Sequence, residues 1–223
     1  AFAYDLQAAC SGFLYGMSTA SSMITSGRYK NVLLIGADKM SSIVDYEDRA
    51  TCIIFGDGAG AVLFEASDSD FGWEDEYLRS DGSGRKYLNI KAGGSLLPTS
   101  RLTVENKMHN LYQDGKTVFK YAVSRMSDAT EQIIKRNKID PKKIAYLVPH
   151  QANSRIIDAT AKRINLPTEK VMRNIEKYGN TTAATLPLLL KDYEKKLRPG
   201  DKLIFAAFGG GFTWGAAYLT WSY

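Results

Sequence analysis

Two stretches of the chain, residues 10–65 and 182–223, run through the same order of elements. Each presents an apolar helix, a short apolar strand, a glycine-containing turn and a final strand. A repeated order of this kind predicts an internally duplicated α/β fold, although the identity between the two stretches is weak. In the first stretch Phe13, Leu14, Met17, Ala20, Met23 and Ile24 recur at helical spacing, and Gly27 supplies a stop. Strands are predicted at 32–35 and 59–64, the second entered through the glycine-rich turn 56–60. Their apolarity is continuous rather than alternating, which predicts cover on both faces. Residues 1–6 also read as a buried strand.

The second half opens with Val118, Phe119, Ala122, Met126, Ala129 and Ile133 at helical spacing. Asp140-Pro141 makes a turn into a strand at 145–148, and a helix is predicted over 153–164. A loop at 177–180 precedes a helix over 182–197 that tolerates Pro187 near its first turns. Strands at 203–207 and 213–221 flank Gly209-Gly210-Gly211. Residues 67–113 are rich in Gly, Ser, Asp and charge, with weak strand character around 87–91, and read as a connection. The division expected is therefore 1–66, 67–112 and 113–223.

Composition narrows the class. Of 223 residues 44% are hydrophobic and 24% charged, which excludes collagen-like, mucin-like and disordered chains. No apolar run approaches the roughly 20 residues of a membrane-spanning helix. A net charge of +5, from 29 basic and 24 acidic residues, is too diffuse to indicate nucleic-acid binding. The two cysteines fall in neither a CxxC pair nor a recurrent spacing, which argues against a disulfide framework or a zinc site and for a reducing, cytoplasmic setting.

A few residues could carry chemistry. Cys10 begins a helix, where backbone amides and the helix dipole favour a thiolate nucleophile; a small buried core residue is the alternative. His150 follows an apolar strand and Pro149, at the strand end where α/β folds gather ligands, or else it caps local backbone. His109, in a polar connection, is expected at the solvated surface. Asn180 stands just before a helix and reads as a cap or turn residue; it also begins a formal glycosylation sequon, discounted because nothing indicates secretion. The glycines at 209–211 let a backbone amide approach an oxyanion, or simply turn a hairpin. The turn 56–60 lacks the ending of a phosphate loop, and Cys52 is read as core.

Taken together, Ala8-Ala9-Cys10-Ser11-Gly12-Phe13, the run 54–60, Val148-Pro149-His150-Gln151-Ala152-Asn153, Gly179-Asn180-Thr181-Thr182-Ala183-Ala184 and the run 208–215 resemble β-ketoacyl-acyl-carrier-protein synthase III of the thiolase-like superfamily. The resemblance implies a duplicated βαβαβαββ fold in five layers, αβαβα. It also implies a Cys-His-Asn triad of Cys10, His150 and Asn180, with an oxyanion hole from the amides of Cys10 and Gly210. The implied reaction is a decarboxylative condensation of an acyl-CoA, acetyl-CoA for preference, with malonyl-acyl-carrier protein. It passes through an acyl-Cys10 intermediate and needs no metal or redox cofactor. A related condensing enzyme of secondary metabolism (alkylquinolone, resorcinol or polyketide type) shares the triad, and an inactive truncated fragment is a further alternative.

By the same resemblance Arg49, Ile54, Phe119, Asn153, Ile156 and Phe208 contact CoA or line the substrate tunnel. Ala50 departs from the glycine usual after that arginine. Lys120, Arg155, Lys162 and Arg163 match the basic patch for the carrier protein, against a simpler reading as a solvated helix face. A homodimer is implied, with the strand at 2–6 pairing across the two-fold axis, and neither nucleic acid nor membrane is an expected partner. Against the duplicated fold the first half starts at its third strand, so that roughly a hundred residues are expected upstream of Ala1. The piece alone is expected to be poorly stable and inactive.

Overall fold

The computed structural model describes residues 1–223. In chain order its strands are β1 (Asn31–Asp38), β2 (Gly58–Glu65), β3 (Gly72–Ser80), β4 (Leu88–Ile90), β5 (Leu111–Gln113), β6 (Ile144–Pro149), β7 (Lys202–Gly209) and β8 (Thr213–Thr220). The helices are α1 (Gly12–Thr25), α2 (Arg101–Glu105), α3 (Gly115–Arg136), α4 (Ser154–Arg163), α5 (Ile175–Tyr178) and α6 (Thr185–Tyr193). A 3₁₀ turn, Ala9–Ser11, leads into α1, and another, Thr182–Ala184, leads into α6.

The organising element is β7. It pairs in parallel with β6 and antiparallel with β8, in a four-stranded sheet of order β3-β8-β7-β6. Strand side chains alternate between faces. Accordingly Leu203, Phe205 and Ala207 join a core with Phe13, Leu14 and Met17 of α1 and Leu186, Leu189 and Leu190 of α6. Ile204, Ala206 and Phe208 join the opposite core, built with Ala122, Met126 and Ile133 of α3 and Ile156 and Ile157 of α4. Every residue of 203–208 is fully or nearly fully buried, as a continuous apolar run between two helical layers requires.

Beyond α1 and α6 lies the antiparallel pair β1-β2, whose Leu34, Val62 and Phe64 pack inward on that helix pair. The stack is helices, sheet, helices, sheet, which supplies four of the five layers expected. The outer face of β1-β2 carries exposed Leu33, Ile35 and Leu63. The expectation that these strands are covered on both faces therefore fails: within this chain one face packs and the other is open, and continuous apolarity could not distinguish the two. Residues 1–6 form no strand either, because no neighbouring strand pairs with them; Phe2 and Tyr4 stand exposed.

Local chemistry fixes the helix starts. Asp114 Oδ1 accepts from the Thr117 amide at 3.0 Å to open α3, and Asn153 Oδ1 accepts from the Arg155 amide at 2.9 Å to open α4. The expected helix over 182–197 is α6 with a 3₁₀ turn at each end, Pro187 occupying its third position. The strand β3 escapes sequence reading because its charged residues, Glu74, Asp75, Glu76 and Arg79, mask the pattern. It nevertheless completes the edge of the main sheet against β8, held by Asp75 pairing with Arg136 and Asn137.

Candidate active site

Cys10 lies in the tight turn between residues 1–8 and α1, where Ala9 takes a positive φ of 48°. Two hydrogen bonds tie this turn to the glycine hairpin between β7 and β8. Ser11 Oγ donates to the Thr213 carbonyl at 3.1 Å, and Thr213 Oγ1 donates to the Ala8 carbonyl at 2.7 Å. The approach is close enough that a β-carbon on Gly209 would stand 2.6 Å from the Cys10 amide nitrogen. Glycine is therefore required at 209 for a steric reason. The backbone amides of Cys10 itself and of Gly210 lie near enough to the Cys10 sulfur to favour its thiolate form.

The thiol is not the stabilised thiolate that a helix start suggests. Burial pushes it up to about 12, and the nearby Asp38 carboxylate adds to the shift, while the two amides pull the other way. Asp38 is itself fixed, Oδ2 accepting from the Ala183 amide at 3.0 Å. A full negative charge and a dry setting outweigh the partial charges of one helical turn.

His150 caps the end of β6, its amide donating to the Ala206 carbonyl at 2.7 Å. The side chain is completely buried. Burial lowers its pKa to about 3, so the ring is neutral at physiological pH. Nδ1 lies 2.7 Å from Thr185 Oγ1, and Nε2 is buried with no hydrogen-bond partner. Next to it Gln151, also buried, donates to the Pro149 carbonyl and accepts from the Asn174 amide, clamping the strand end to the start of α5.

Asn180 follows Gly179, whose φ of 68° suits glycine. Its amide donates to the Ile54 carbonyl at 2.9 Å and its carbonyl accepts from the Gly56 amide at 3.0 Å, a short parallel bridge that draws the turn at 51–57 alongside. Oδ1 accepts from the Thr182 amide at 2.9 Å, two residues on, which makes Asn180 the turn residue, Thr181 standing at the cap position. The same bond orients the side chain so that the Nδ2 donors are not used within the chain. The 3₁₀ turn Thr182–Ala184 then packs on both Ala9–Ser11 and β1, a β-carbon on Gly12 meeting Ala183 Cβ at 3.6 Å. Through these contacts the cysteine turn, the glycine hairpin, the end of β6 and the asparagine loop form one connected site.

The other expected residues are distributed unevenly. Ile54 touches the site through its backbone. Ile156 and Phe208 are core residues facing α3, and Phe119 sits half-buried at that core's margin with the Arg155 guanidinium 5.0 Å from its ring centre. Asn153 spends Oδ1 on capping α4. Arg49 is exposed and makes no hydrogen bond. Lys120, Arg155 and Lys162 are exposed on α3 and α4, but Arg163 is held by Glu131 at 2.9 Å and Asp128 at 3.4 Å, which removes it from a free basic patch. His109 is half-buried rather than surface-solvated, its Nε2 3.0 Å from Thr103 Oγ1. Cys52 is half-buried, at the edge of the core rather than in it.

Thr185 and Asp38 were not singled out from the sequence, although both bear on the site. The available signal was the cluster Thr181, Thr182 and Thr185, hydroxyls at the mouth of an apolar helix that are all buried.

The family model for 3-oxoacyl-[acyl-carrier-protein] synthase III matches residues 4–82, and the model for the C-terminal part of the same enzymes matches residues 134–221. The chain belongs to the 3-oxoacyl-[acyl-carrier-protein] synthase III family. It is 60% identical over all 223 residues to the β-ketoacyl-[acyl-carrier-protein] synthase III of Phocaeicola vulgatus, covering 67% of that protein. It is 59% identical over the same span to a second such synthase of Bacteroides thetaiotaomicron, again 67% of its length. The chain thus spans about two thirds of these relatives. Among solved structures, the synthase III of Pseudomonas aeruginosa superposes with a TM-score of 0.91 at 38% identity, over 100% of this chain and 69% of that one. The synthase III of Aquifex aeolicus gives 0.88 at 40%, over 99% and 67%. The fold is accordingly the thiolase-like α/β fold of synthase III. No helix is long and apolar enough to cross a membrane.

Proposed function

We propose that this chain carries the condensing chemistry of a β-ketoacyl-acyl-carrier-protein synthase III, joining an acyl-CoA to malonyl-acyl-carrier protein with release of CoA and carbon dioxide. The observation that supports it best is the close seating of the glycine hairpin on the cysteine turn, where a β-carbon on Gly209 would stand 2.6 Å from the Cys10 amide nitrogen, in a site that also holds a buried neutral imidazole. The Cys10 and Gly210 amides, on the two segments brought together there, would hold the oxyanion; loss of one such donor typically costs about 10²–10³ in rate.

In the loading step the Cys10 sulfur attacks the thioester carbonyl. A thiol at about 12 is ionised in only about one molecule in 10⁵ at pH 7, so it must shed its proton as it attacks. The His150 Nε2 lone pair accepts that proton and passes it to the departing CoA sulfur, leaving acyl-Cys10 and neutral histidine. In the condensing step the malonyl group loses carbon dioxide, and the enolate oxygen accepts from Asn180 Nδ2. The carbanion attacks acyl-Cys10, and the sulfur leaves and regains a proton.

Phe119, Ile54, Asn153 and Arg49 are proposed to contact the CoA and acyl chain, with Ile156 and Phe208 backing the wall of the acyl tunnel from within the core. Lys120, Arg155 and Lys162 are proposed to receive the acidic carrier protein, and the family dimer is proposed for the whole enzyme. Intact mass after incubation with acetyl-CoA tests the reading: an acetyl adduct is expected, abolished in Cys10→Ala. An adduct persisting in Cys10→Ala overturns the nucleophile assignment.

A further inference from the structure

The single nitrogen His150 Nε2 is useful to the loading step only as a bare lone pair, and the group that determines this is Thr185. A threonine hydroxyl has one proton. That of Thr185 is placed on the Thr182 carbonyl at 2.9 Å, one turn back. Its oxygen, 2.7 Å from His150 Nδ1, is then an acceptor, so Nδ1 carries the imidazole proton.

A second observation points the same way. Nε2 is buried and unpartnered. Were the proton there, the site would hold an orphaned buried N–H, which is rarer in proteins than an under-used acceptor. Burial keeps the ring from holding both protons. Thr182 is itself held for the purpose: its amide is bonded to Asn180 Oδ1 and its φ is 51°. The asparagine and histidine of the site thus meet through two threonines.

We propose that Thr185 is a positioning residue that fixes His150 as the Nδ1–H tautomer and so leaves its Nε2 lone pair bare for the proton shed in loading. This rests on the loading reaction proposed above. Thr185 touches no substrate and acts only through His150.

The test is ¹⁵N NMR of the histidine-labelled protein, with His109→Gln removing the only other histidine. In the unmodified site Nδ1 is expected to show the shift of a protonated nitrogen and Nε2 that of a bare one. Thr185→Ser keeps this pattern. Thr185→Val, which removes the oxygen at nearly constant volume, abolishes it.

Acyl loading of Cys10 from acetyl-CoA, followed by mass, then slows by about tenfold or more at pH 7 in Thr185→Val. That rate recovers as pH rises toward 9, because hydroxide replaces the misdirected base. Thr185→Ser stays within about threefold of the parent. A protonated Nε2 in the parent protein, or a Thr185→Val variant that loads at the parent rate with an unchanged pH profile, overturns the proposal. Melting curves of the variants, and the Nδ1 signal of the parent alone, decide the matter should Thr185→Val fold poorly. Failure of Cys10→Ala to abolish the adduct would instead sink the loading reaction itself.

Discussion

The backbone of Gly209 approaches Cys10 so closely that one added carbon would stand 2.6 Å from the cysteine's amide nitrogen and 3.1 Å from its Cβ. The obstacle is backbone, which cannot swing aside as a flexible side chain would. Gly209→Ala should therefore cost about 1–3 kcal/mol of stability and displace the Gly210 amide, lowering acyl loading by about 10² or more. Chemical denaturation with acyl-adduct mass spectrometry checks both.

Phe212 backs the hairpin from the other side. It is almost fully buried, with the rings of Phe208 at 4.8 Å and Tyr121 at 5.0 Å, and its amide and carbonyl pair with Asp81. Phe212→Ala should lose about 3–5 kcal/mol. It should also reduce loading, since the hairpin that carries Gly210 would lose its support. A melting shift without any change in loading rate of the folded protein would show that the hairpin holds its shape without the ring.

Asn180→Asp separates acceptor from donor. The carboxylate still accepts from the Thr182 amide but brings no N–H to an enolate. Condensation should fall by about 10²–10³ while loading of Cys10 changes little. The check is to measure the two half-reactions separately, by adduct mass and by carbon dioxide release.

Stability should depend on pH through the two buried groups. His150 falls from 6.5 unfolded to about 3 folded. The unfolded state therefore binds the extra proton first, and the stability present above pH 6.5 is lost as pH falls toward 3, by about 1.4 kcal/mol per unit. Cys10 rises from 9.0 to about 12, so its contribution is full below pH 9 and is lost as pH climbs toward 12. Urea titrations at pH 7, 6 and 5 should show the acid slope in the parent and a shallower one in His150→Gln. Alkylation of Cys10 in a Cys52→Ala background should remain slow through pH 9.

Arg155→Glu should raise the KM for malonyl-acyl-carrier protein several-fold, with a weakened salt dependence, and leave loading from acetyl-CoA intact. Arg163→Glu should do less, because Arg163 is already paired with Glu131 and Asp128. Equal losses in both half-reactions would argue for a structural role at 155.

Much of this was legible beforehand because apolar periodicity records burial directly. The helices α1, α3, α4 and α6 and the strands β6, β7 and β8 all fall where the pattern places them. The misses have a common cause. The strand β3 is charged, residues 1–6 are apolar yet unpaired, and the outer face of β1-β2 is apolar yet open. In each, the outcome depends on which neighbour is present, and local pattern does not encode neighbours. At the site, Cys10, His150, Asn180 and Gly210 could be named from motifs. The ionisation of Cys10 could not, because it turns first on burial and then on Asp38, 28 residues away in sequence. Thr185 escaped for a similar reason: its hydrogen bond spans 35 positions.

The strand β7 gives alternate residues to two cores, one holding the helix that Cys10 begins and the other flanking the strand that His150 ends. Neither core can melt while the other keeps its wall. Heat or denaturant should therefore release the two cores together, and the seating of the cysteine turn against the glycine hairpin and the imidazole should be lost in that same transition.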